Sequence, residues 1–293
     1  MTIFCVGSIN ADHFYEVPHL PLPGETLEGA NHRVGLGGKG ANQSVAAARA
    51  GAEVIHVGAV GADGGWAVER LGELGVETSH IASLDGPTGH AIITVAADGE
   101  NAIVIYPGPN RRISTSMIRT AFERAEAGDK LILQNEASMQ VEAAQLAQQA
   151  GMQVIYSAAP FDPEAVRAVL EFTDLLVVND VEARQLEAAF ETELSELPVQ
   201  GIVVTRGSEG VDYIAAGEVT HADAYAVTPR DTTGAGDTFL GYLVAALHAD
   251  LDIAEALELA SAAAALKVTR PGTADAIPSR AEVDAFRAEA RRA

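Results

Sequence analysis

The sequence predicts a three-layer α/β fold, with a central, mostly parallel sheet flanked by helices and a small separate β-sheet. Three observations point to it. Apolar strand-like runs alternate with helical patterns along most of the chain, two segments interrupt that alternation with strand pairs of their own, and the 293 residues are 48% hydrophobic, enough for a sizeable core. Strands that alternate with helices of this length belong to parallel sheets covered on both faces, because each crossover helix lies back on the sheet.

The elements follow in order. TIFCVGSI (2–9) reads as a buried first strand, and ANQSVAAARAG (41–51) as a helix closed by glycine. EVIHVGAVG (53–61) and WAVERLGELG (66–75) are the next strand and helix; KLILQ, QLAQQA and QVIYSAA continue the alternation, and DLLVVN (174–179), EARQLEAAF and GIVVTRG (201–207) repeat it. The terminal third reads as helical, in TFLGYLVAALHADL, AEALELASAAAALKV and a charged last helix from about Arg280, with alanines 262–265 allowing close helix packing. The interruptions fall at about 12–36, around PHLPLPGE, and at about 88–107, where HAIITVAADGENAIVIY is two strand runs joined at Asp98-Gly99, a hairpin signal. They predict either edge decoration or a small β lid over the strand ends where α/β proteins bind ligands. With no long linker or internal repeat, residues 1–293 read as a single domain.

Composition narrows the function classes. A net charge of −22 with three lysines argues against nucleic acid and against an anionic membrane surface as partners. No apolar run is long enough to span a bilayer, and MTIFCVGSIN lacks the basic segment and cleavage site of a secretory signal. The single Cys5 lies in an apolar run and reads as a buried, inert thiol, so a cytoplasmic protein is expected. The histidines show no metal-ligand spacing, and Arg111 and Arg112 read as solvated.

Four motifs carry candidate chemistry. GLGGKGAN contains G-x-G-x-x-G at 35–40, but it follows the first strand by about 25 residues rather than directly, which is wrong for a dinucleotide site. Lys39 is followed by Gly40, not Ser or Thr, so a Walker loop fails as well. What remains is a glycine turn with one ammonium and the Asn42 amide at a helix entrance, suited to a polyhydroxyl ligand or developing negative charge. In SINADH, Asn10 and Asp12 share one side of an extended chain; a carboxylate there can grip a sugar diol, or the pair can simply form a turn or cap. DTTGAGDTF (231–239) precedes an apolar helix. Its small residues Gly234, Ala235 and Gly236 expose unpartnered amides to an anion, and Asp237 can take a hydroxyl proton beside them; the alternative is an Asp merely favoured near a helix start. Asn179 with Glu182, and the TRGSEG turn, suit a hydrated Mg²⁺ and an adenosine edge, although strand ends often carry such residues.

Together these motifs resemble the ribokinase branch of the PfkB carbohydrate-kinase superfamily, along nearly the whole chain. DTTGAGD marks the superfamily; NADH with GGKGAN marks the branch. The resemblance implies ATP-dependent phosphorylation of the D-ribose 5-hydroxyl, a ribokinase-like fold, and a lid that pairs two subunits as a homodimer. It makes Asp237 the catalytic base and the Gly234, Ala235 and Gly236 amides the anion hole. Asp12, Gly38, Lys39, Asn42 and Glu136 would contact the sugar, with Asn10 in the same motif. Asn179 and the turn Thr205, Arg206, Gly207, Ser208, Glu209 and Gly210 would hold ATP, with Ser261 near the adenine and Asn179 and Glu182 linked indirectly to Mg²⁺. An activating monovalent cation, usually K⁺, would lie among Asp231, Thr233, Lys267, Arg270, Gly272 and Ala276, with the Lys267 side chain pointing outward. A related kinase for another sugar or a nucleoside, or a sugar-binding protein without turnover, are the alternatives.

Overall fold

The computed structural model describes residues 1–291. In chain order it forms β1 (Ile3–Val6), β2 (Asn10–Val17), β3 (Asn31–Gly37), α1 (Lys39–Arg49), β4 (Val54–Val60), α2 (Gly65–Glu73), β5 (Ile81–Ser83), β6 (Gly89–Ala96) and β7 (Asn101–Tyr106). Then come α3 (Thr115–Phe122), β8 (Lys130–Gln134), α4 (Gln140–Gln149), β9 (Gln153–Ser157), α5 (Pro163–Val169), β10 (Leu175–Asn179), α6 (Asp180–Phe190) and β11 (Gly201–Thr205). The chain ends with β12 (Val211–Ala215), β13 (Glu218–Ala222), α7 (Ala235–His248), α8 (Ile253–Val268) and α9 (Arg280–Ala290).

The main sheet runs β13-β12-β11-β10-β9-β8-β1-β4-β5, parallel from β11 to β5. In β1 the two-residue period sends Ile3 and Cys5 to the layer containing α1, α7 and α8, and Phe4 and Val6 to the layer of α3 to α6. Both faces are therefore covered, which is why the strand reads as an unbroken apolar run.

A second sheet, β3-β2-β6-β7, stands apart. Its strands cover 10–37 and 89–106, close to the expected interruptions, and the hairpin turns at Asp98-Gly99, where Gly99 has φ 91°. Asn10 and Asp12 therefore lie in the first strand of this small sheet rather than at the tip of β1.

The terminal third is not wholly helical. β12 and β13 form an antiparallel hairpin on the sheet edge, joined by Ala216 and Gly217, both at positive φ. Such a two-residue turn favours Asn-Gly or Gly-Gly, and Ala-Gly is a weak signal for it. Among the described residues no helix is long and apolar enough to cross a membrane.

Candidate active site

Helices α1 and α7 build the centre of the site by lying close together. A Cβ on Gly241 would stand 2.6 Å from the Gln43 carbonyl oxygen and 2.8 Å from the Ala47 nitrogen, so only glycine lets α7 approach α1 this closely. That approach brings the first turn of α1 to the first turn of α7. Asn42 Nδ2 donates to Asp237 Oδ2 at 3.0 Å, and Gln43 Nε2 donates to Asp237 Oδ1 at 2.9 Å. Both carboxylate oxygens of the buried Asp237 are thus held by amide donors. Behind them Gln134 Nε2 donates to Gln43 Oε1 at 2.7 Å, fixing the orientation of that amide.

The start of α7 is open. Its N-cap is Gly234, with φ 72° and no side-chain cap. The Ala235 amide turns back to the Thr232 carbonyl at 3.2 Å, while the Gly236 and Asp237 amides have no backbone partner among the described residues. The Gly234 amide likewise has none, so two of the expected trio, Gly234 and Gly236, are free, and Asp237 adds a third donor. Gly234, Ala235, Gly236 and Asp237 line a cleft of about 190 Å³ together with Lys39, Asn179, Glu182 and Thr205. It opens at the carboxyl ends of β9, β10 and β11, the usual ligand crevice of an open α/β sheet.

On the other side of Asp237, the Glu136 carboxylate accepts from the Lys39 backbone N–H at 3.0 Å and from Ser8 Oγ at 2.5 Å, so a residue beyond β8 caps the start of α1. Gly38 precedes that start at φ 90°. Asn10 Oδ1 accepts from Asn110 Nδ2 at 2.8 Å. Asp12 is only 6% exposed, and burial pushes its carboxyl up to about 7, with Glu136 and Asp237 adding to the effect and Arg33 opposing it. The Lys39 pKa is raised as well, but there the effect favours the charged form: Asp237 raises it, with help from Glu136 and Glu182 and against burial. Its ammonium makes no hydrogen bond among the described residues, and Lys39 lines the cleft. Asn42 Oδ1 is a buried acceptor left without a partner.

Asn179 and Glu182 form a capping box on α6. Asn179 Oδ1 accepts from the Val181 and Glu182 amides at 2.9 Å each, and Glu182 Oε2 accepts from the Asn179 amide at 2.9 Å. Burial raises the Glu182 pKa, and Oε1 has no hydrogen-bond partner among the described residues. Of the 205–210 turn only Thr205 lines the cleft, and Arg206 is tied by ion pairs to Asp180 and Asp212 at 2.7 Å each. Ser261, in the middle of α8, does not line this cleft.

The group expected around a monovalent cation does come together. Asp231 accepts from the Thr233 and Gly272 amides at 3.0 and 2.8 Å, Arg270 N–H donates to the Lys267 carbonyl at 2.9 Å, and Ala276 lies beside Gly272. Burial works against the Asp231 charge, yet those amide donors, with Lys267 nearby, hold its carboxyl below the ordinary value. The group does not fit a metal ion, however. Lys267 does not point outward: it is fully buried, and its ammonium donates to the Asp231 carbonyl at 3.0 Å and to the Thr233 carbonyl. The oxygens that a K⁺ would need are already taken, and Arg270 is paired with Glu282 at 2.8 Å.

Two further outcomes concern the sequence expectations. Arg111 is not merely solvated; it donates to the Asn135 and Ala137 carbonyls at 2.9 and 3.2 Å, on either side of Glu136. Cys5 is buried, and burial pushes its thiol up to about 11. Sequence reasoning missed Gln43, Gln134, Ser8 and Asn110. Gln43 directly follows the GGKGAN motif, a usable signal; the other three act through contacts between parts of the chain distant in sequence, as in Asn110–Ile9 and Ser8–Glu136.

The family model described as pfkB family carbohydrate kinase matches residues 2–280. The chain belongs to the pfkB family of carbohydrate kinases. A ribokinase from Haemophilus influenzae is 36% identical over 97% of this chain and 98% of its own length. The crystal structure of a ribokinase from Thermotoga maritima superposes with a TM-score of 0.88, at 32% identity over 98% of this chain and 99% of that one. An Arabidopsis thaliana ribokinase, solved as a complex with ribose and ATP, has a TM-score of 0.84, at 30% identity over 97% of both chains. Within the family, then, the chain falls with the ribokinases, and it is a phosphotransferase with the ribokinase-like fold.

Proposed function

We propose that this enzyme transfers the γ-phosphoryl group of ATP to the 5-hydroxyl of D-ribose, giving ribose 5-phosphate and ADP, with Asp237 as general base. The observation that carries the reading is the placement of a carboxylate, gripped through both oxygens by Asn42 and Gln43, beside unpartnered amides at an uncapped helix start. As the 5-oxygen bonds to phosphorus, its proton passes to Asp237 and the bond to the ADP oxygen breaks. The Gly236 and Asp237 amides, with the Gly234 and Ala235 backbone beside them, receive the charge that grows on the phosphoryl oxygens. Lys39, whose ammonium has no hydrogen-bond partner among the described residues, lies between sugar and phosphates and neutralises the same charge.

On the sugar side Asp12 accepts from neighbouring hydroxyls, the orphaned Asn42 Oδ1 accepts from another, and Asn10, Gly38 and Glu136 shape the floor. ATP lies over Asn179 and Thr205, with the 206–210 turn along its outer edge and the adenine towards α8 and Ser261. A Mg²⁺ fits one feature of the cleft: Glu182 keeps Oε1 free and would hold the hydrated ion through water. Bound there with the phosphates, it supplies charge neutralisation. K⁺ takes no part in this reading, because Lys267 occupies the carbonyl oxygens it would need. The small sheet closes over the sugar and pairs two copies of the chain as a homodimer.

The test is Asp237→Asn. We expect kcat for ribose with ATP and Mg²⁺ to fall by about two to four powers of ten, the range for losing a general base, with ribose binding by calorimetry retained. Wild-type rates in the variant would remove Asp237 from the chemistry. A turnover panel of ribose, 2-deoxyribose, fructose, fructose 6-phosphate and adenosine tests the substrate, and preference for any other member over ribose would displace it.

A further inference from the structure

We propose that the Lys267 ammonium is this chain's built-in monovalent cation, standing where a K⁺ would otherwise order the anion hole, so that turnover does not depend on K⁺. The inference rests on the reading of the α7 start as the anion hole.

Three features of the structure carry it. The ammonium meets the Asp231 and Thr233 carbonyls together, one of them directly before Gly234. In a trans peptide the N–H lies opposite the C=O, so anchoring the Thr233 carbonyl also anchors the Gly234 N–H, and Gly234 lines the cleft. Secondly, Lys267 has no exposed surface, although a lysine is almost never fully buried without partners. Here its partners are two main-chain carbonyl oxygens, of the kind that suit a bare cation, with the charge of the Asp231 carboxylate acting on it through space. Thirdly, the residue sits in the last turn of α8, where the helix dipole favours positive charge. An ammonium and a K⁺ both carry one charge and both bind carbonyl oxygens. The ammonium differs in being tethered, so it is present at any salt composition. Lys267 touches neither sugar nor nucleotide; it is a positioning residue that acts through the 231–234 backbone.

The experiment compares wild type, Lys267→Ala and Lys267→Met in buffers whose only monovalent cation is K⁺, Na⁺ or choline. For the wild type we expect kcat to agree across the three within about twofold. Both variants are expected to lose at least about tenfold in kcat in choline, a loss in the range for a weakened oxyanion site, with the KM for ribose little changed. K⁺ should restore Lys267→Ala several-fold, since the truncation leaves room for the ion, and should not restore Lys267→Met, whose side chain fills that room. Thermal melting gives a second readout that needs no turnover. Raising KCl against choline chloride at constant ionic strength should raise the melting temperature of Lys267→Ala specifically and leave the wild type unmoved, because an ion bound only by the folded state stabilises it.

Strong K⁺ activation of the wild type, or a Lys267→Ala protein that turns over normally in choline, would overturn the inference, as would a Lys267→Ala melting temperature indifferent to K⁺. If the wild type phosphorylates no sugar in any salt, the kinase reading fails, while the melting comparison still decides whether Lys267 stands in a cation's place.

Discussion

At the scale of single residues, Asp12 and Asp237 show how one acid cluster divides its work. Asp237 has an amide donor on each oxygen, whereas Asp12 is buried near two other carboxylates and is pushed up to about 7. A protonated Asp12 can accept from fewer hydroxyls than the carboxylate, so ribose binding must expel the proton. The dissociation constant for ribose is therefore expected to rise by up to about tenfold per pH unit as pH falls below 7, and calorimetry between pH 5.5 and 8 checks it. The folded protein carries the opposite linkage. Because the folded-state pKa lies above the ordinary 3.8, the native state binds the extra proton, and stability falls as pH rises from about 4 to 7 and then levels off. A shift of this size corresponds to a difference on the order of 4 kcal/mol. In Asp12→Asn the apo-protein should lose this part of the slope in urea titrations at pH 5 and pH 8; an unchanged slope would assign it to other groups. The Asp and Lys at these positions were legible from SINADH and GGKGAN. Their electrostatics were not, because Asp12 meets Glu136 and Asp237 only after the chain has folded. Lys267 departs from its sequence expectation for a related reason: a charged residue after an alanine run looks solvent-facing, and only folding brings the carbonyls of a distant turn around it.

At the scale of elements, strand–helix alternation gave most of the main sheet nearly to the residue, and KLILQ is β8 itself. The period-2 and period-3.6 signals are local, so they survive in the sequence. What failed was also local in origin. The β12–β13 hairpin turns on Ala216-Gly217, a pair whose strain the antiparallel edge absorbs. Equally hidden was the reason for Gly241, which reads as one more small residue in an apolar helix. In Gly241→Ala the new methyl would press on backbone atoms of Gln43 and Ala47 rather than on a flexible side chain. The helices must then separate, and overpacking of this kind costs about 1–3 kcal/mol. Denaturant unfolding should show that loss. Since α1 carries Asn42 and Gln43 to Asp237, kcat should fall as well while ATP affinity holds. A Gly241→Ala protein with wild-type stability would mean that the two helices have slack between them.

At the scale of the whole molecule, a net charge of −22 is set against an apolar strand that the single chain leaves bare. β7 is the outer strand of the small sheet and is exposed along its whole length, with Ile103 52%, Val104 70%, Ile105 53% and Tyr106 46% exposed. Ile103 and Ile105 point to one face and Val104 and Tyr106 to the other, so both faces and one edge meet water. Proteins seldom leave such an edge open unless something pairs with it. Val34, 47% exposed on β3, widens the apolar surface of the same sheet. In the proposed homodimer a second copy would supply a matching strand, and a stable pair would bury about 1,200–2,000 Å² in total. Like charges on the two copies oppose that contact at long range, and salt screens them over about 10 Å at 0.1 M. The homodimer is therefore expected to tighten as salt rises, the reverse of an association held by ion pairs. In Val104→Glu/Ile105→Glu, two buried charges would face an apolar partner with no counter-ion. Light scattering on a sizing column should give the mass of two chains for the wild type and of one for the variant, with unchanged circular dichroism. A wild type that elutes as a single chain at micromolar concentration and moderate salt would leave β7 without its partner and refute the pairing. If the variant is monomeric and folded, its KM for ribose indicates whether pairing steadies the small sheet over the sugar: a raised KM with near-normal kcat is the expected result, because Asp237 and the α7 start belong to the other layer.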